Sequence, residues 1–186
     1  MAKMHEYEFE LIYRLNLGED PEQHVEALYE AGCDDFTIGL GQRGSIALMF
    51  TREAKSALNA IRSAIKQVQK AIPHATVSEL ERVEPWLMNL SELAEEFGFT
   101  KQNMSRYQRG ESNAGEFPHP YVAGRTSYWV VADVAVWMQS RDIVEVPKEK
   151  LEMYITAKSC NTVIQWFNRP KDMPEVEEMF NDFSMA

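Results

Sequence analysis

The chain has 186 residues, 45% of them hydrophobic, with eight prolines and nine glycines; that is enough for one large or two small cores and excludes long disorder. Its formal net charge is −10 and its sequence pI about 4.9, which excludes a surface that binds polyanions everywhere but leaves room for a local basic site. Cys33 and Cys160 stand in no paired-ligand spacing, so neither a disulfide framework nor a zinc site is expected.

Tyr7, Phe9, Leu11, Tyr13 and Leu15 alternate with Glu6, Glu8, Glu10 and Arg14. Period two over that length predicts a half-buried strand. Asp20 can cap a helix that opens with Pro21 and closes at Gly32, with Val25, Leu28 and Tyr29 as its buried stripe. Residues 35–40 read as a second strand, 41–44 (GQRG) as a hairpin turn and 45–50 as a third strand. A long helix is expected over 53–71. Ala57, Leu58, Ile61, Ala64, Ile65, Val68 and Ile72 recur at helical spacing, and Pro73 ends it. Residues 75–83 predict a fourth strand. The order βαββαβ over 1–83 predicts a ferredoxin-like two-layer sandwich in an α+β chain.

This first domain has no phosphate loop and no acid, base or nucleophile set that spacing brings together, so neither enzyme activity nor a cofactor is expected. His5, His24 and His74 are scattered, and His24 reads as a surface residue rather than a ligand. No metal site is expected. The aromatic stripe of the first strand reads as core. Its opposite face carries Glu6, Glu8 and Glu10, whereas an RNA-reading sheet sets aromatics beside cations. Dimerisation, sensing or binding of a protein partner is the expected role.

Residues 84–88 (EPWLM) read as a linker, with Trp86 and Leu87 buried between the two domains or against the first helix of the second. Residues 89–110 (NLSELAEEFGFTKQNMSRYQRG) then read as a helix-turn-helix. Ser91, or less well Asn89, can cap the first helix. Leu93, Ala94 and Phe97 form its apolar face, and Gly98 allows the sharp turn. Thr100 can cap a second helix over 101–109, with Met104 and Tyr107 inward. Lys101, Gln102, Asn103, Ser105, Arg106 and Arg109 point outward, the residue types that bond base edges and phosphates. The competing reading is an ordinary helical hairpin with a wet polar face.

Residues 117–138 hold prolines, a short extended run, a Gly124-Arg125 turn and another extended run. A helix then opens at Ala132 or Asp133, with Val134, Trp137 and Met138 inward. That pattern predicts a β-hairpin wing followed by a helix, giving a domain over 89–141. Between residues 100 and 130, Lys101, Arg106, Arg109 and Arg125 against Glu111 and Glu116 leave a net charge of +2 (4 − 2).

Residues 86–140 resemble the winged helix-turn-helix of the AlpA-type prophage regulators and excisionases, relatives of the MerR-type DNA-binding domain. The matching residues are those of the helix pair over 89–110, Phe117, Pro118 and Pro120, Gly124-Arg125, Trp129, and Asp133-Val134 with Trp137. The resemblance implies binding of double-stranded DNA, as a transcription regulator or a recombination-directionality factor. Its contacts would come from Thr100, Lys101, Gln102, Asn103, Ser105, Arg106, Arg109, Arg125, Thr126 and Ser127.

Pro147 begins a further helix over 148–167, whose apolar pattern is interrupted at 159–162 and could divide it in two. The same resemblance implies that this helix pairs with its mate in a homodimer, through Leu151, Tyr154 and Ile155. The alternative is a helix folded back on its own domain. Residues 169–186 read as an acidic tail. The start of the chain lacks an apolar signal core, and no run approaches the ~20 residues of a membrane helix. A soluble, cytoplasmic, nucleoid-associated regulator is expected, reading the major groove with one helix and a wing. The alternatives are an excisionase-type architectural factor and a protein-binding antitoxin or phage-defence adaptor.

Overall fold

The alternation at the start of the chain becomes strand β1 (His5–Arg14), with Tyr7, Phe9, Leu11 and Tyr13 buried and Glu6 and Glu8 exposed. The computed structural model describes residues 3–39, 43–75 and 80–168. Asp20 accepts from the Glu22 N–H and starts a single 3-10 turn at Pro21, which runs into helix α1 (Val25–Glu30). Of the expected stripe only Leu28 is fully buried. Tyr29 is 57% exposed and tilts against Phe36, because a six-residue helix offers the sheet little more than one inward position.

Strand β2 (Phe36–Gly39) is followed by β3 (Ser45–Ala54). β3 runs past Phe50 and takes in Glu53 and Ala54, where the helix is expected to start. It pairs with β1 along its whole length, from His5 opposite Ala54 to Arg14 opposite Ser45. Arg52, only 8% exposed, is held there by two 2.6 Å bonds to Asp35 and a 3.0 Å bond to Ser63. Helix α2 (Ala57–Ala71) therefore starts later than expected, capped by Ser56, and turns Leu58 outward. Strand β4 (Leu80–Glu84) completes an antiparallel sheet in the order β2-β3-β1-β4. Leu40, the Gly41-Gln42 part of the expected turn and residues 76–79 lie outside the described residues.

The expected linker is itself structured. Glu84 ends β4, and Leu87 opens β5 (Leu87–Asn89), which pairs with β6 (Tyr128–Val130). Helices α3 (Leu90–Glu96), α4 (Lys101–Gln108) and α5 (Val131–Gln139) pack on this ribbon around Leu93, Met104, Trp129, Val134 and Met138. α5 starts at Val131, earlier than expected, because the Val131 N–H bonds to the Trp86 carbonyl at 2.9 Å. Trp86 itself is half-buried against Tyr121.

Helix α6 (Lys148–Asn168) belongs to both cores: Met153, Ala157 and Ile164 enter the first, and Tyr154 the second. Glu152 accepts from the Ala57 N–H at the start of α2 (3.0 Å) and from the Tyr7 hydroxyl (2.9 Å). The buried Asn161 amide pairs with both backbone groups of Val83, accepting its N–H at 2.9 Å and donating to its carbonyl at 2.6 Å. It continues the ladder of edge strand β4 with a side chain and closes that edge. The expected break at 159–162 does not occur. Ser159 and Thr162 donate to carbonyls one turn back, and Asn161 faces Val83, so the polar interruption is satisfied within one helix.

This docking limits what the residues expected at a dimer contact can offer a second copy. Tyr154 is 1% exposed, with its hydroxyl donating to Glu96, and Leu151 is half-buried; of the three, Ile155 is exposed, at 46%. The reason is that α6 carries apolar residues for two intrachain cores at once. The chain is thus a mixed α+β protein, with one four-stranded antiparallel sheet and six α-helices among the described residues. Among those residues no helix is long and apolar enough to cross a membrane. The acidic tail from residue 169 lies outside them.

Candidate nucleic-acid interface

β5 delivers Asn89 in an extended conformation, and Asn89 rather than Ser91 caps α3. Its side chain accepts from the N–H groups of Ser91 (2.8 Å) and Glu92 (3.2 Å), while Glu92 accepts from the Asn89 N–H at 2.8 Å. This reciprocal capping box satisfies more donors than Ser91 could from inside the helix. Gly98 turns the chain at φ 73, and the Phe99 N–H returns to the Ala94 carbonyl at 2.7 Å. Thr100 then caps α4 by accepting from the Asn103 N–H at 3.2 Å. Met104 is fully buried, and Tyr107 meets Phe99 and Trp137 edge-on. Sequence position and inward anchoring together set which side of α4 faces water.

On that outer side Lys101, Gln102, Asn103, Arg106 and Arg109 are exposed and Ser105 is half-buried. Arg109 is not an unengaged cation: it forms a bidentate pair with Glu111 at 2.6 and 2.8 Å. Lys101, Arg106 and Arg125 make no ion pair among the described residues. Asn103, Arg106, Tyr107 and Ser112 line a cavity of about 170 Å³ at the flank of α4. The Ser112 hydroxyl is buried without a hydrogen-bond partner among the described residues. A small polar recess therefore lies beside two side chains able to bond bases or phosphates.

Where a wing is expected, one isolated bridge closes a loop. Val122 and Tyr128 exchange two backbone bonds, at 3.2 and 2.9 Å, and close a loop carrying exposed Gly124, Arg125 and Thr126 and half-buried Ser127. The prolines Pro118 and Pro120 on the entering segment have no N–H to donate to a longer ladder. Trp129 donates to the Pro118 carbonyl at 2.9 Å and Trp137 to the Glu116 carbonyl at 2.5 Å. Phe117 packs against both rings. This aromatic frame fixes the loop's base beside α4.

Negative charge flanks the face. Glu92 and Glu95 are exposed on α3. Glu96 is turned inward to Lys150 at 2.6 Å and to the Tyr154 hydroxyl. Burial alone would raise the Glu96 carboxyl, but the bonds from Lys150 and Tyr154 outweigh it and hold it below the usual carboxylate range. A separate cleft of about 490 Å³ between β1, α3 and α6 is lined by Glu6, Glu8, Glu10, Glu96 and Glu149 above apolar Met153 and Phe9. A phosphate backbone is repelled from that side.

The histidines, scattered along the sequence, are partly brought together. His24 and His74 meet at Glu19, whereas His5 pairs with Glu149. A separation of 50 positions hides that meeting from any spacing rule (74 − 24). No protein-family model, curated protein or solved structure matches the chain.

Proposed function

We propose that the chain is a sequence-specific DNA-binding regulator: a ferredoxin-like βαββαβ module joined to a winged helix-turn-helix that reads the major groove with α4. The observation that carries this reading is the two-sidedness of α4. Met104 is fully buried, while Lys101, Gln102, Asn103 and Arg106 stand exposed on the other side. Arg and Asn or Gln side chains so presented can make bidentate contacts to guanine and adenine edges. The exposed loop with Arg125 is suited to phosphate or a narrow minor groove.

With Arg109 engaged by Glu111, Lys101, Arg106 and Arg125 are the cations of the surface that have no ion pair among the described residues. Few phosphate neutralisations give weak binding at physiological salt. We therefore propose two copies acting together, which converts the second contact into an intramolecular one. The operator would be an inverted repeat with half-sites one helical turn, or a multiple of it, apart. Pairing would use the first module or the exposed side of α6 at Ile155 rather than Tyr154.

Selection of bound duplexes from a random pool tests the reading. A recurrent motif is expected. Arg106→Ala should relax preference at one position, at about 1–3 kcal/mol of lost discrimination. Lys101→Ala should weaken all sequences alike and lower the salt slope by about one. No enriched motif, with both variants matching wild type, overturns it. Footprinting and sedimentation of the complex test the repeat and the pairing; one protected unrepeated site under a monomer removes the second part alone.

A further inference from the structure

Three side chains from separate parts of the first module meet at its margin. Glu19 comes from the loop after β1, His24 from the end of the 3-10 turn, and His74 from the turn after α2. Glu19 Oε1 lies 2.7 Å from His24 Nε2 and 3.1 Å from His74 Nε2. The two rings are 5.6 Å apart and inclined by 56°. One ligand atom from each residue lies within 4.8 Å of the other two. The Glu19 and His24 side chains are 11% and 13% exposed, and His74 is 43% exposed, so the cluster opens to solvent on the His74 side.

We propose that Glu19, His24 and His74 bind a divalent transition-metal ion of the zinc type, leaving a fourth position open to water. Two imidazoles and one carboxylate form a donor set suited to such ions. Ligand atoms on a tetrahedral ion with bonds of about 2.0–2.1 Å stand about 3.3 Å apart. From Glu19 Oε1 the observed separations of 2.7 and 3.1 Å need to open by about 0.6 and 0.2 Å (3.3 − 2.7, 3.3 − 3.1), and the two imidazole ligand atoms, within 4.8 Å of each other, need to draw in on the ion.

Three polar groups crowd one carboxylate oxygen. Glu19 Oε1 faces His24 at 2.7 Å, His74 at 3.1 Å and the Gln23 amide, which donates at 3.1 Å. A cation instead receives a lone pair from each imidazole and from the carboxylate. The carboxylate is already oriented, because its other oxygen accepts the Asn16 N–H at 2.8 Å and the Glu19 carbonyl takes the Gly44 N–H at 2.8 Å. Such outer bonds fix a metal ligand's direction. An ion here would tie the loop after β1 to the end of α2 and make the first module's stability depend on metal.

The test is a Co²⁺ titration of the metal-free full-length protein followed by visible absorption, with Zn²⁺ as competitor. Wild type, Glu19→Gln and His74→Ala are compared, and circular dichroism checks each fold. One bound ion is expected, with d–d bands, displacement by Zn²⁺ and no thiolate charge-transfer band. His74→Ala, at a half-exposed position, should stay folded and bind more than about 100-fold more weakly, because loss of an outer-shell partner alone already costs about 10–100-fold. Unchanged binding by folded His74→Ala overturns the proposal, as do thiolate bands that put the ion on Cys33 or Cys160. Absence of binding by the wild type overturns it too.

Discussion

Arg109 and Glu111 hold each other across the end of α4, Nε donating to Oε1 at 2.6 Å and Nη2 to Oε2 at 2.8 Å. The bond raises the Arg109 guanidinium and lowers the Glu111 carboxyl from their ordinary values. Both side chains are half exposed, so the pair is weak and screened by salt. A phosphate reaching Arg109 must displace Glu111. Glu111→Gln should therefore tighten DNA binding at low salt and steepen the salt slope by about one, the value of one more phosphate contact. Fluorescence anisotropy across a salt series reads both; an unchanged slope would show that Arg109 lies outside the contact surface.

Arg125→Glu should weaken DNA binding while leaving the thermal midpoint nearly unchanged. The residue is exposed on a loop closed by Val122 and Tyr128 backbone bonds, and surface changes usually move stability by less than ~0.5 kcal/mol. A midpoint drop alongside the affinity loss would assign Arg125 to the fold.

Asn161→Ala should cost about 1–3 kcal/mol in urea unfolding, because the buried N–H and carbonyl of Val83 lose their partner. Re-exposed, the edge of β4 should also raise aggregation on heating. A variant within ~0.5 kcal/mol of wild type would mean that water replaces the amide.

Stability should fall on acidification, in part through Glu96. Its folded carboxyl sits below the unfolded value because of Lys150 and Tyr154, which outweigh the burial that raises it. A depressed carboxylate stabilises fully above its unfolded value of about 4.3 and loses that contribution as pH falls through the folded value. Glu96→Gln should lower the urea midpoint at pH 7 and flatten its decline from about pH 5 downward. Parallel curves for variant and wild type would exclude the contribution.

Much of the fold is legible locally. The alternation in β1, the Asp20-Pro21 start, the Gly98 turn and the Thr100 cap each express a preference of a few neighbouring residues. So does the division of α4 into a buried Met104 and an exposed polar side. Where local rules compete they lose resolution: Asn89 overrides Ser91 because β5 presents it extended, and β3 runs past Phe50 because Asp35 stands ready for Arg52.

Composition and periodicity by themselves determined an acidic α+β chain with a strand-rich first half, a turned helix pair after it and the polar face of α4. Tertiary structure alone decided the fate of α6, the strand made from the supposed linker, the pairing of Arg109 with Glu111 and the meeting of Glu19, His24 and His74. The physical reason is range. Propensity, capping and period act over a few residues, whereas Asn161 finds Val83 78 positions away and Tyr154 finds Glu96 58 away. Such partners are chosen by which surfaces must be buried together, and no spacing in the chain encodes them.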